Sequence, residues 1–168
     1  MSMNTTERPV LTLYADNLDS ASIPDAAPNL GARAVIVKDG KVMLVHLKKL
    51  NLYTLPGGGL EAGETPCEAL KREVREETGL EVKKAEETLL LKEHFPDSTW
   101  HHHFFKVDVD QFSDTGKKTL TEEEQALGFE TVIRPVDEAL ELLTHNHSNH
   151  PHGTNIQNRE LLGLIHSV

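Results

Sequence analysis

Residues 58–80 read GGLEAGETPCEALKREVREETGL. Thr65 is a good N-cap, Pro66 follows at the first helical position, and Glu68 stands where a capping partner belongs. Gly79 supplies a stop. The stretch therefore predicts a helix from Pro66 to about Thr78. At about 100° per residue, Cys67, Leu70 and Val74 form the core-facing stripe. Glu73, Glu76 and Glu77 gather on a neighbouring face, beside Ala69. Like charges at these spacings cost a few tenths of a kcal/mol per pair. Arg72 and Arg75 would offset that cost on a solvated face.

The flanking residues point to a different use of the acidic face. Tyr53 to Leu55 reads as a short strand stopped by Pro56 and the glycines Gly57, Gly58 and Gly59, which let backbone approach a ligand closely. A carbonyl of Pro56-Gly57 can aim at the same place. Carboxylates and a carbonyl are hard oxygen ligands suited to Mg²⁺ or Mn²⁺, and a bound divalent cation turns the repulsion into binding energy.

Further upstream, RAVIVKDGKVMLVHL (33–47) is two β-rich runs joined by Asp39-Gly40, a hairpin signal. Pro9 to Tyr14 alternates like a strand, and Asp16 to Asn29 reads as loop. Downstream, Leu80 to Phe95 and Thr99 to Val109 read as strands, Gly116 to Gln125 as a polar loop and Phe129 to Arg134 as a strand. Pro135 opens a helix over Val136 to Thr144, and an amphipathic helix spans Asn155 to Ile165. With no repeat or linker, this predicts one α/β domain, a mixed sheet covered by helices, over 31–168, preceded by a strand-and-loop extension, 1–30.

Residues 58–80 resemble the signature of the Nudix (MutT-like) hydrolases. Its fixed positions fall on Gly58, Glu64, Arg72, Glu73, Val74, Glu76, Glu77, Gly79 and Leu80, with no departure. The resemblance implies an α/β/α sandwich that hydrolyses a nucleoside diphosphate linked to another group, such as a nucleoside triphosphate or a nucleotide sugar like ADP-ribose. It implies that Glu73, Glu76 and Glu77 hold Mg²⁺ or Mn²⁺, with the Gly57 carbonyl as a further ligand. Glu64 and Arg72 hold the ligand glutamates in place. Family members differ in the general base. Glu73 or Glu76 is expected here, with Glu122, Glu123 and Glu124 of TEEEQALGFE (121–130) as loop candidates. The alternative is a non-catalytic nucleotide-sensing module on the same fold. Such modules commonly lose carboxylates of this signature, the box, and this chain keeps them all.

The 168 residues suit one domain, and Asp plus Glu exceed Lys plus Arg by 27 to 17, for a net charge of −10. That balance argues against non-specific binding of duplex nucleic acid, which draws on a basic face. The partner expected is a small nucleotide, with no membrane, and a homodimer is compatible with the sequence. A single cysteine, Cys67, rules out an internal disulfide framework, and the start of the chain lacks signal-peptide patterning, so a cytoplasmic protein is expected.

Ten histidines are concentrated in WHHHFF (100–105) and HNHSNHPH (145–152). Strand alternation puts His101 and His103 on one face and His102 on the other, so the triplet reads as sheet surface and cleft lining. His145, His147, His150 and His152 read as a polar loop, with metal storage or delivery as a rival function. Phe95, Trp100 and Tyr53 are candidates to stack a nucleobase.

Overall fold

A computed structural model describes residues 7–15, 18 and 26–168. Most of the loop expected over 16–29 lies outside the described residues. The element order is β1 (Val10–Tyr14), β2 (Asn29–Lys38), β3 (Lys41–Leu47), β4 (Leu52–Thr54), β5 (Gly57–Gly59), α1 (Pro66–Thr78), β6 (Val82–His94), β7 (Thr99–Val109), α2 (Glu122–Ala126), β8 (Phe129–Pro135), α3 (Val136–His145) and α4 (Gly153–Ser167).

The strands form one mixed sheet in the order β1-β6-β7-β2-β3-β4, with β5 paired to β2 and β8 to β3. Strands β2 and β7 run parallel, while β6 and β7 form a long antiparallel pair with two register shifts. Asp39 and Gly40 turn the β2–β3 hairpin with φ of 51° and 74°, as a type I′ turn requires. The strand at 10–14 lies parallel to β6 at the sheet edge, pairing Val10 with Leu90 and Tyr14 with His94.

Helices cover both faces, which is why β2 is apolar along most of its length. Its Ala32, Ala34 and Ile36 pack with Ala69, Leu70 and Val74 of α1. Its Val35 shares the opposite core with Ala139 and Leu143 of α3 and Leu164 of α4. Strand β7 divides the same way, Phe105 to the α1 side and Phe104 to the α4 side. This is the expected α/β/α sandwich. Among the described residues no helix is long and apolar enough to cross a membrane.

Two details differ from the sequence reading. The glycines of 57–59 pair antiparallel with Gly31, Ala32 and Arg33 as a strand of their own. Within the expected polar loop, Thr121 and Glu124 exchange side-chain-to-backbone hydrogen bonds and start α2.

Candidate active site

Helix α1 holds its acidic face rigidly. Thr65 caps it, accepting from Glu68 N, and Gly79 ends it with φ of 73°. The buried stripe of Leu70 and Val74 then fixes its rotation, with Cys67 packed alongside. That rotation points the box glutamates at β5.

Glu73 lies against Gly58, where an added Cβ would sit 2.5 Å from Glu73 Oε1. Glu77 is 6% exposed and its Oε2 accepts from Gly57 N at 2.9 Å. Gly57 has φ of 151°, and any Cβ there would run into Ala32 O. Glycine at 57 is thus required by the close approach of the β2 backbone, and glycine at 58 leaves room for the Glu73 carboxylate.

Arg72 organises the rest. Its Nε and Nη2 donate to the two oxygens of Glu64 at 2.8 and 2.9 Å, and Nη2 also donates to Gly59 O. Its Nη1 donates to Glu73 at 2.9 Å and to Glu76 at 3.3 Å. The Arg72 bonds to Glu64, and then the Glu61 backbone N–H, pull the Glu64 carboxyl down to about 2. Glu73 is raised, chiefly by burial, against the pull of Arg72. Glu77 is raised well above the usual carboxylate range by burial and then by the charge of Glu73.

Among the described residues no three His, Cys, Asp or Glu side chains are already gathered as a metal cage. Arg72 draws Glu73 and Glu76 to itself, and Glu77 turns to Gly57 N. The donor set still fits a hard divalent cation. Three carboxylates share one face, and the most buried of them, Glu77, forms no ion pair among the described residues.

The loop candidates separate. The segment before α2 crosses the end of α1, where Thr119 N donates to Glu76 O at 2.7 Å. Glu124 is close enough for its charge to act on Glu77, while its Oε1 accepts from Thr121 N. Glu122 and Glu123 are exposed, and among the described residues their side chains make no hydrogen bond or ion pair with the box.

Beside the box, on the α4 side of the sheet, opens a cavity of about 420 Å³ lined by Arg33, Glu93, Phe95, Trp100, His102 and Arg159, among others. Arg33 links it to the box, with Nη1 donating to Leu55 O and to Gly57 O, each at 3.3 Å. Behind it, Arg159 Nη1 donates to Glu93 Oε1 at 3.4 Å and Nη2 to Glu160 Oε1 at 3.3 Å. Burial raises the Glu93 carboxyl, and burial with the charge of Arg159 holds His102 neutral.

Sequence reasoning missed Arg33, Glu93, Arg159 and Glu160. The available signal was a charged residue interrupting an apolar strand, and an Arg-Glu pair within the amphipathic α4. Of the aromatic candidates, Phe95 and Trp100 line the cavity, whereas Tyr53 stacks on His46 with centroids 4.2 Å apart. His102 is buried beneath α4, while His101 and His103 are half-buried on the other face. From the histidine-rich loop, His150 and His152 join the cavity wall.

Comparison with known proteins agrees with this geometry. The NUDIX domain matches residues 28–154. An ADP-ribose pyrophosphatase of Methanocaldococcus jannaschii is 43% identical over 56 residues, 32% of this chain and 33% of that protein. An RNA pyrophosphohydrolase of Halorhodospira halophila is 47% identical over 53 residues, 32% of this chain and 29% of its own length. The chain thus spans only about a third of these relatives in the matched region. A NUDIX hydrolase structure from Nitrosomonas europaea superposes with a TM-score of 0.59 at 24% identity, covering 82% of this chain and 90% of that one. The chain belongs to the NUDIX family, and the match takes in the acidic stretch 58–80.

Proposed function

We propose that this protein is a metal-dependent hydrolase that cleaves the diphosphate linkage of a nucleoside diphosphate joined to a second group, by attack of water on phosphorus. The observation that carries this reading is the convergence of Glu73 and Glu77 on Gly57 and Gly58, with the cavity opening beyond Arg33. Glu73, Glu76 and Glu77 are the side chains that would hold Mg²⁺ or Mn²⁺; the Gly57 carbonyl, expected as a further ligand, accepts from Arg33 Nη1 in this structure. When bound there, such a cation would supply charge neutralisation to the diphosphate and acidity to a water molecule.

The chain's own residues do the rest. Arg72, anchored on Glu64, keeps Glu73 and Glu76 in position. Glu73 or Glu76 takes the proton of the attacking water. Phe95 and Trp100 flank the part of the substrate beyond the diphosphate. Nucleoside triphosphates and nucleotide sugars such as ADP-ribose are the candidate classes; of the two named relatives, one is an ADP-ribose pyrophosphatase and the other an RNA pyrophosphohydrolase.

The test is a hydrolysis screen of nucleoside triphosphates, ADP-ribose and other nucleotide sugars with Mg²⁺ and with Mn²⁺, identifying both products. Turnover should vanish with excess chelator, return on adding either metal, and rise toward alkaline pH. Full turnover in excess chelator would sink the metal mechanism.

A further inference from the structure

We propose that Arg33 is a substrate-binding residue that takes a non-bridging oxygen of the diphosphate on the cavity side of Gly57, opposite the box glutamates. This rests on the hydrolase reading above and names the residue that joins its two halves.

The position follows from one peptide unit. Gly57 N–H donates to Glu77, while Gly57 C=O accepts from Arg33. A diphosphate held at the box and extending into the cavity must pass that peptide, and Arg33 is the cation that lines its path.

The guanidinium is also incompletely used. Nη1 divides itself between two carbonyls at 3.3 Å each, both long bonds. Nε is buried, with no hydrogen-bond partner among the described residues, and forms an ion pair with Glu160 at 3.7 Å. Among the described residues Nη2 donates to nothing. Glu160 spends Oε1 on Leu55 N–H and on Arg159, both at 3.3 Å, and shares its charge between the two arginines, which leaves Arg33 its Nη2 donors to spare. The Nη2 end of a guanidinium so placed is suited to a phosphate oxygen.

The rest of the lining directs an anion to this wall. Arg159, the cavity's other arginine, is already engaged with Glu93 and Glu160. Glu93 and Asp97 lie elsewhere in the lining and disfavour an anion beside them. The phosphates therefore stay by Gly57, and the aromatic wall takes the other group.

The test compares wild type with Arg33→Gln and Arg33→Lys by calorimetric titration of imidodiphosphate, a non-hydrolysable diphosphate, in saturating Mg²⁺. Mn²⁺ binding without nucleotide and thermal melts are measured alongside. Loss of a charge-assisted hydrogen bond should weaken imidodiphosphate binding about 10- to 100-fold in Arg33→Gln. Lysine should restore part of it, and Mn²⁺ affinity should stay within about threefold of wild type. In turnover, KM should carry most of the change. Unchanged imidodiphosphate affinity in a folded Arg33→Gln would overturn the proposal. So would parallel loss of Mn²⁺ and imidodiphosphate affinity, which would make Arg33 a prop for the Gly57 carbonyl. If the wild type hydrolyses no nucleotide, the hydrolase reading fails while the imidodiphosphate titration still decides on Arg33.

Discussion

Glu77 is a carboxylate that helix α1 buries against a glycine strand, with a backbone N–H as its partner. Its folded pKa lies above the ordinary 4.5, because burial and Glu73 disfavour the charge. A raised acid stabilises the fold fully below the unfolded pKa and loses that contribution as pH rises toward the folded one. The metal-free protein should therefore lose stability from about pH 4.5 upward through this residue. Glu77→Gln keeps the acceptor for Gly57 N and removes the charge. Denaturant melts without metal should show the variant more stable at pH 8, by on the order of 1–2 kcal/mol, with the gap closing near pH 4.5. Equal or lower stability at pH 8 would mean the charge is already compensated in the metal-free fold. The same substitution should weaken Mn²⁺ binding, separating the two effects on one side chain.

Among the elements, α2 decides where the general base lies. Its capping box carries Glu124 to within electrostatic range of Glu77, yet spends an oxygen of Glu124 on Thr121 N. Glu76 sits on α1, its carboxylate accepting from Arg72 Nη1 at 3.3 Å. A base removed from a folded, metal-saturated enzyme typically costs about 10²–10⁴-fold in rate. We expect Glu73→Gln or Glu76→Gln to show that loss at saturating metal, and Glu124→Gln a smaller one. If Glu124→Gln is the deeper defect while both box variants recover with added metal, the base is in α2. A second element-scale test concerns α4, which rests on the sheet through Gly163. A Cβ there would collide with the ring of Phe104. Gly163→Ala gains helix propensity but overpacks the joint, so a net loss of about 1–3 kcal/mol is expected in chemical denaturation. Because α4 also carries Arg159, the variant should lose substrate affinity before it loses Mn²⁺ affinity.

For the whole molecule, what was legible in the sequence was local. Thr65, Pro66 and Gly79 state the bounds of α1 within a few residues of themselves, and Asp39-Gly40 does the same for its hairpin. The box glutamates were legible because a helix face is computable from spacing alone. The cavity was not, since its floor joins Arg33 of β2 to Glu93 of β6 and to Arg159 and Glu160 of α4, residues far apart in the chain. Strand β5 was hidden for a related reason. Its three glycines have no intrinsic β preference, and only the neighbouring β2 makes them a strand. Thr121 and Glu124 did carry a legible capping signal, masked by the polar composition around them.

The edge strand at 10–14 bears on how the chain assembles during synthesis. Its partner β6 is its neighbour in the sheet and extends to His94, so the pairing of Tyr14 with His94 cannot form until that residue has left the ribosome. The hairpin of β2 and β3, which closes on itself, has no such wait. Strand β1 thus emerges early and docks late, and its apolar Val10, Leu11 and Leu13 stay open to chaperones or to other nascent chains in the interval.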